Sequence, residues 1–300
     1  MYDGIIPLYK ERGMTSFDCV SRLRRILQTK KIGHSGTLDP NVDGVLPICV
    51  GTGTKMVEYL MASGKEYAGE VLIGQATTTE DLDGEVVSTK PVPAAIDEAT
   101  IQAAMAKMVG EITQIPPMYS AVKVNGKRLY EYARAGETVE RPQRQVTIKH
   151  FTFLGTRYDE MTQTQRVRFT VGCSKGTYVR TLAVDLAKAL GYPGTMSQLT
   201  RRESGGFGID QTVTLDEIQD LVAGEMMNRY IYPVDYAVKG LAHHALTDEQ
   251  WVSVQNGGWL KPVEMSSDAD RVVLTYHDDA KAIYARRDDV YKPEKMISTK

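Results

Sequence analysis

The stretch Gly33-His34-Ser35-Gly36-Thr37-Leu38-Asp39-Pro40 carries one carboxylate inside a loop of small, hydroxylated and backbone-permissive residues. Gly33 and Gly36 admit backbone angles closed to other residues, and Pro40 biases Asp39 towards extended geometry. Asp39 therefore reads as a stiffly held carboxylate, a candidate nucleophile or base, although an Asp before Pro in a Gly-rich stretch also serves as an ordinary turn former.

Upstream, Ser16 is placed to cap a helix with the apolar stripe Phe17, Val20, Leu23 and Leu27, leaving Arg22, Arg24 and Arg25 away from its centre. Downstream, Tyr67 to Ile73 and Val146 to Leu154 have strand composition. Arg166 to Cys173 alternates strictly, with Val167, Phe169, Val171 and Cys173 on one face, which predicts a half-buried antiparallel sheet. Helices are predicted from about Ile101 to Val109, burying Ile101, Met105 and Met108 with Gly110 as its C′ residue, and from about Thr177 to Leu190. The second helix starts next to Arg180, at a strand-to-helix junction.

Residues 119 to 145 break the regular pattern with charges, tyrosines and two glycines. They read as a long insertion with little core-forming capacity, mobile until bound, and with a short helix around Leu129 to Arg134. From Tyr119 to His150 there are seven basic residues against three acidic, so Lys123, Lys127 and Arg128 are candidate phosphate contacts despite a net charge of −2 for the chain. A solvated face of mixed charge is the competing reading. Beyond about Lys239 the chain turns acidic, with short strand-like pieces at Arg271 to Tyr276 and Ala282 to Arg286.

With 300 residues and 42% hydrophobic content, the chain can bury a large domain and a small one. No apolar run approaches the roughly 20 residues of a membrane span, and charges at Asp3, Lys10, Glu11 and Arg12 interrupt any leader pattern, so a cytoplasmic location is expected. Cys19, Cys49 and Cys173 are widely spaced, which indicates neither a disulfide framework nor a zinc site, and His243-His244 cannot compose a metal site alone. Gly51-Thr52-Gly53-Thr54-Lys55-Met56 lacks the nucleotide-binding G-x-x-x-x-G-K-[ST] pattern, which disfavours a nucleotide hydrolase.

The run from Gly33 to Gly53, followed by Thr54-Lys55, resembles the catalytic-Asp motif of the TruB family of tRNA pseudouridine synthases. Three more blocks match in order: Lys65-Glu66-Tyr67, Ile115-Pro116-Pro117-Met118-Tyr119-Ser120-Ala121, and Cys173-Ser174-Lys175-Gly176-Thr177-Tyr178-Val179-Arg180. The family's Pro-x-Ala-x-Gly pattern appears as Pro40-Asn41-Val42-Asp43-Gly44, a departure in loop side chains only. The resemblance implies an α+β fold in which a large, mainly antiparallel mixed sheet is flanked by helices. It places a catalytic domain at residues 1–239 and a small C-terminal β domain, similar to PUA RNA-binding modules, at 240–300.

The implied activity is isomerisation of uridine-55 in the T loop of tRNA, with the nucleotide flipped out of its stack. The resemblance assigns Asp39 as nucleophile, Arg180 as its compensating cation and Tyr67 as the base-stacking tyrosine whose hydroxyl reaches the sugar. His34 would contact the displaced loop, Lys55 would hold a phosphate or order the Asp39 loop, and Asp81 and Leu199 would shape the RNA contact and pocket. No cofactor, metal, membrane or obligatory protein partner is implied, and a monomer is expected with the tRNA T stem-loop as its partner. The alternative is a noncatalytic RNA-binding protein on the same scaffold, which predicts loss of Asp39 or Tyr67; both are present.

Overall fold

The computed structural model describes residues 2–299, and the chain divides into two compact units. The first comprises residues 1–40, 45–61 and 205–300; the second comprises 41–44 and 62–204.

In the first unit the strand Gly4–Lys10 is nearly all buried, and Ile32–His34 pairs antiparallel with Asp43–Val50, setting His34 opposite Ile48. The helix Ser16–Ile26 buries Cys19, Val20 and Leu23. Two expectations are corrected here. The cap is Thr15, in a reciprocal capping box with Asp18, and Ser16 is buried inside the helix. Phe17 leaves the predicted stripe and stands 63% exposed, with Arg24 over its ring.

The C-terminal part of this unit is a four-stranded sheet. Ala242–Ala245 runs parallel to Arg271–Tyr276, followed by the antiparallel strands Asp279–Arg287 and Val290–Met296. Val272, Leu274, Tyr284 and Tyr291 build one core, while Val273 and Ile283 pack with Met56 and Val238 in another. Both faces are thus buried at the middle of the strand Arg271–Tyr276, where Val272, Val273 and Leu274 follow one another without polar alternation.

The second unit is built on an antiparallel succession of Gly194–Ser204, Lys65–Ile73, Thr164–Cys173, Arg144–Asp159 and Gly110–Gln114. Val167, Phe169, Val171 and Cys173 are buried as their alternation predicts. The parallel pairing of Asp43–Gly44 with Thr200–Arg201 makes the sheet mixed. The helix Val179–Ala189 packs on Gly194–Ser204, where a Cβ on Gly194 would meet the Ala187 methyl at 2.1 Å. The helix Glu98–Ala106, capped by Asp97, starts and ends three residues earlier than predicted: Ile101 and Met105 are buried, Met108 lies beyond its end, and Gly110 opens a strand.

Residues 119–145 fold locally. A hairpin of Lys123–Val124 and Lys127–Arg128 leads into the helix Leu129–Arg134, the helix the sequence predicts. Contrary to the expectation of little core-forming capacity, Leu129 is fully buried and Val122 nearly so.

Gly44 is the point at which the Asp39 loop becomes a strand. Its φ is +111°, and a Cβ would lie 2.2 Å from the Arg201 carbonyl oxygen. Backbone cannot yield as a flexible side chain would. Gly44→Ala should therefore destabilise the fold by on the order of 3 kcal/mol and disorder the paired strand end. Equal denaturant midpoints for parent and variant would contradict this reading.

Candidate active site

Local geometry pins the residues on both sides of Asp39 in the first unit. The buried Ser16 hydroxyl accepts from the Leu38 amide at 2.9 Å and lies 3.2 Å from the Leu38 carbonyl, to which it donates. The Pro40 carbonyl accepts from the Gly13 amide at 2.9 Å and from the buried Lys10 ammonium at 3.0 Å. The Ser35 amide bonds to Pro47, and His34 Nδ1 accepts from the Gly36 amide at 3.3 Å. Gly36 has φ of +126°, so a side chain there would strain the turn. Asp39 itself is half-buried.

The downstream limb of this loop belongs to the second unit and is tied there three times. Asn41 Nδ2 donates to Asp83 at 2.6 Å, the Thr200 hydroxyl donates to Asp43 at 2.5 Å, and Gly44 pairs with Arg201.

Arg180 is only 6% exposed at the start of the helix Val179–Ala189. Its guanidinium donates to the Thr79 carbonyl at 2.7 Å and the Tyr119 carbonyl at 2.9 Å, and lies 3.8 Å from an Asp81 oxygen. The Thr79 hydroxyl and the Asp83 amide donate to the other Asp81 oxygen. The structure thus brings together Arg180 and Asp81, which the sequence leaves unpaired. It also explains why two blocks far apart in the chain accompany each other: Gln114, just before Ile115-Pro116-Pro117, exchanges two hydrogen bonds with the Tyr178 backbone at 3.0 and 3.2 Å.

Beside this cluster, Glu80 adopts φ of +66° and accepts from the Thr181 hydroxyl at 2.8 Å. Burial pushes its carboxyl up, against the pull of the Thr181 bond and of Arg180 and Arg141.

Tyr67 is buried at a position opposite Val171 on one neighbour and Arg201 on the other. Two residues on, Gly69 is flanked by Phe169 and Leu199, and a Cβ there would stand 2.6 Å from the Phe169 ring. Leu199 is buried. Lys55 donates to the Met296 and Ile297 carbonyls at 3.0 and 2.8 Å, which ties it to the end of the strand Val290–Met296 and not, as expected, to the Asp39 loop. Lys127 pairs with Glu137 at 2.9 Å and lies over Tyr132, Arg128 bonds to Tyr130 Oη at 3.0 Å, and Lys123 is exposed.

Sequence reasoning misses Lys10 and the second role of Ser16. Lys10 ends an otherwise apolar strand, a signal of a buried cation that must find carbonyl partners. A Ser one residue inside a helix carries no comparable signal, because its partner at Leu38 is remote in sequence.

Next to Tyr67, Lys65 is held down to about 8, first by burial and then by Arg201 and Lys175, while burial pushes the Cys173 thiol up to about 11. An unfolded lysine titrates near 10.4, so between about pH 8 and that value the unfolded chain binds more protons. The contribution of Lys65 to stability therefore rises with pH across that window and is least favourable below it. In urea melts at pH 7.5 and 10, the parent should gain roughly 1–2 kcal/mol relative to Lys65→Met. Parallel pH profiles would refute the assignment.

Among the described residues, no group of three or more His, Cys, Asp or Glu side chains is arranged to hold a metal ion, and no helix is long and apolar enough to cross a membrane.

The chain is similar to one in the crystal structure of a Cbf5–Nop10–Gar1 complex, with a TM-score of 0.75 and 26% identity, covering 98% of this chain and 85% of that one. Residues 24–179 match the TruB family pseudouridylate synthase N-terminal domain, and residues 180–239 match the tRNA pseudouridylate synthase B C-terminal domain. Among curated relatives, tRNA pseudouridine synthase B of Limosilactobacillus reuteri is 60% identical over 99% of both chains. That of Lactiplantibacillus plantarum is 55% identical over the same shares. The chain belongs to the TruB family of pseudouridylate synthases.

Proposed function

We propose that this chain isomerises uridine to pseudouridine in tRNA, at uridine-55 of the T loop, as a cytoplasmic monomer without a cofactor or protein partner. The observation that carries the reading is 60% identity, over 99% of both chains, to a protein named tRNA pseudouridine synthase B.

The reaction breaks the bond between the sugar and N1 of uracil, turns the base and rejoins it through carbon 5, from which a proton leaves. Atoms and electrons balance without an added reactant. Asp39 is the proposed nucleophile. The bonds to Leu38 and Pro40 fix the backbone on both sides of it, so little conformational freedom is lost when it meets the nucleotide.

Arg180 supplies the cation that keeps a carboxylate ionised beneath a base, and its hold on Thr79 and Tyr119 fixes its plane. Asp81 orients that guanidinium. Tyr67 stacks on the base and its hydroxyl serves the sugar, His34 supports the displaced loop, and Leu199 closes the pocket floor. Lys55 ties its segment to Met296 and Ile297, residues 240–300 act as a small RNA-binding β domain, and residues 1–239 form the catalytic part.

A tRNA transcript tritiated at uracil carbon 5 tests the reaction class. One equivalent of tritium should reach water per molecule converted. Complete retention of label would exclude carbon-5 rejoining.

The hairpin and helix of residues 119–145 are the proposed phosphate-contacting arm. Replacing Lys123, Lys127 and Arg128 together by Ala should weaken tRNA binding and flatten the salt dependence of log affinity by roughly 0.7–0.9 for each phosphate left without its cation. Amide exchange in the segment should slow on adding tRNA. An unchanged salt slope would remove the arm from the interface.

A further inference from the structure

The helix Ser16–Ile26 ends in a concentration of positive charge that none of the roles above uses. Arg24 and Arg25 are exposed in its last turn, and Lys30 and Lys31 are exposed just beyond it. Arg22 has a partner in Asp216, at 3.1 Å on the helix Leu215–Ala223. Among the described residues, no carboxylate forms an ion pair with Arg24, Arg25, Lys30 or Lys31.

The backbone holds these charges in a fixed turn. Gln28 takes φ of +49°, Leu27 donates to Leu23 at 2.8 Å and Thr29 donates to Arg24 at 3.2 Å, closing the helix end. Adjoining hollows of about 550 and 620 Å³ share Arg25; the first adds Arg22 and Val222, the second Arg24, Thr29 and Lys30. Phe17 presents an exposed ring beside Arg24, its centroid 6.0 Å from the guanidinium carbon.

Cations in the last turn of a helix complement its dipole, and that accounts for Arg24 and Arg25 alone. Lys30 and Lys31 lie past the turn. Like charges gathered on one ledge repel one another, and what relieves them is a ligand carrying repeated, closely spaced negative charge, which is the chemistry of a nucleic-acid backbone.

The chain also limits how far this ledge lies from the reacting residue. Lys31 and Asp39 are separated by a stretch that reaches at most roughly 28 Å when fully extended. Phosphates along a nucleic-acid strand recur several times over such a span. A polynucleotide with one nucleotide at Asp39 therefore has phosphates within reach of Lys30 and Lys31.

We propose that the groove at the end of the helix Ser16–Ile26 is a second phosphate-binding surface for the tRNA, read through Arg24, Arg25 and Lys30. This rests on the proposed activity on tRNA. The contacts are to backbone phosphate, so the surface adds affinity without reading sequence.

The test is tRNA affinity as a function of salt for the full chain, using an unmodified tRNA transcript. The Arg24→Gln, Arg25→Gln, Lys30→Gln triple variant should bind about tenfold more weakly near physiological salt. Its slope of log affinity against log salt should be shallower by about two, at roughly 0.7–0.9 for each phosphate left without its cation. The charge-conserving triple variant Arg24→Lys, Arg25→Lys, Lys30→Arg should retain the parental slope, because a phosphate contact needs charge more than shape. A parental slope in the Gln variant, or an equal loss in the charge-conserving one, overturns the proposal. Failure of the parent to form pseudouridine would instead defeat the activity, and the binding slopes would still decide the groove.

Discussion

Asp39→Asn should abolish pseudouridine formation, with a single-turnover rate lower by at least roughly 10⁴-fold, while tRNA affinity stays within about tenfold. The substitution keeps the size and loop-forming habit of the side chain and removes the oxygen proposed to react. The groups that hold the loop, the Ser16 hydroxyl on Leu38 and the Lys10 ammonium on Pro40, act on backbone atoms that the substitution leaves in place. Binding and chemistry should therefore separate cleanly. A rate near that of the parent would remove Asp39 from the nucleophile's role, whereas a collapse in affinity would make the carboxylate a binding group.

Arg180→Lys should lower the single-turnover rate by at least roughly 10²-fold and also cost stability. The guanidinium reaches two carbonyls, Thr79 and Tyr119, with two different nitrogens while lying beside Asp81. A single ammonium on a flexible stem cannot span that set, so a buried carbonyl is left without a partner at a cost of roughly 1–3 kcal/mol. The catalytic loss follows from geometry, since the positive charge remains. Restored activity in the Lys variant across a pH series would show that charge alone suffices and that the fork is dispensable.

What can be read from the sequence depends on how local the cause is. Strand Thr164–Cys173 is legible because one face of the sheet is buried there while most residues on the other are not, so apolar and polar residues alternate along it. The Leu129–Arg134 helix is equally legible. Periodicity alone puts Phe17 in the apolar stripe, but Arg24 covers its ring in place of a core. Met108 follows the same logic and lies past the end of its helix, which stops at Ala106.

The Asp39 loop is visible as a motif, yet the residues that hold it are not. Ser16 and Leu38 meet across 22 positions and Lys10 and Pro40 across 30, separations at which periodicity carries no information. Arg180 and Asp81 are each recognisable by family resemblance, and their proximity depends on how strands and loops of one sheet are arranged. Sequence thus identifies chemical groups more readily than the hydrogen bonds that aim them.

The assignment of uridine-55 is tested most directly by incubating the chain with an unmodified tRNA transcript and mapping pseudouridine at every uridine. Near-complete conversion is predicted at position 55, with background levels elsewhere and none in a transcript carrying cytidine there. A tRNA left unmodified at 55, or modified equally at other uridines, would contradict it.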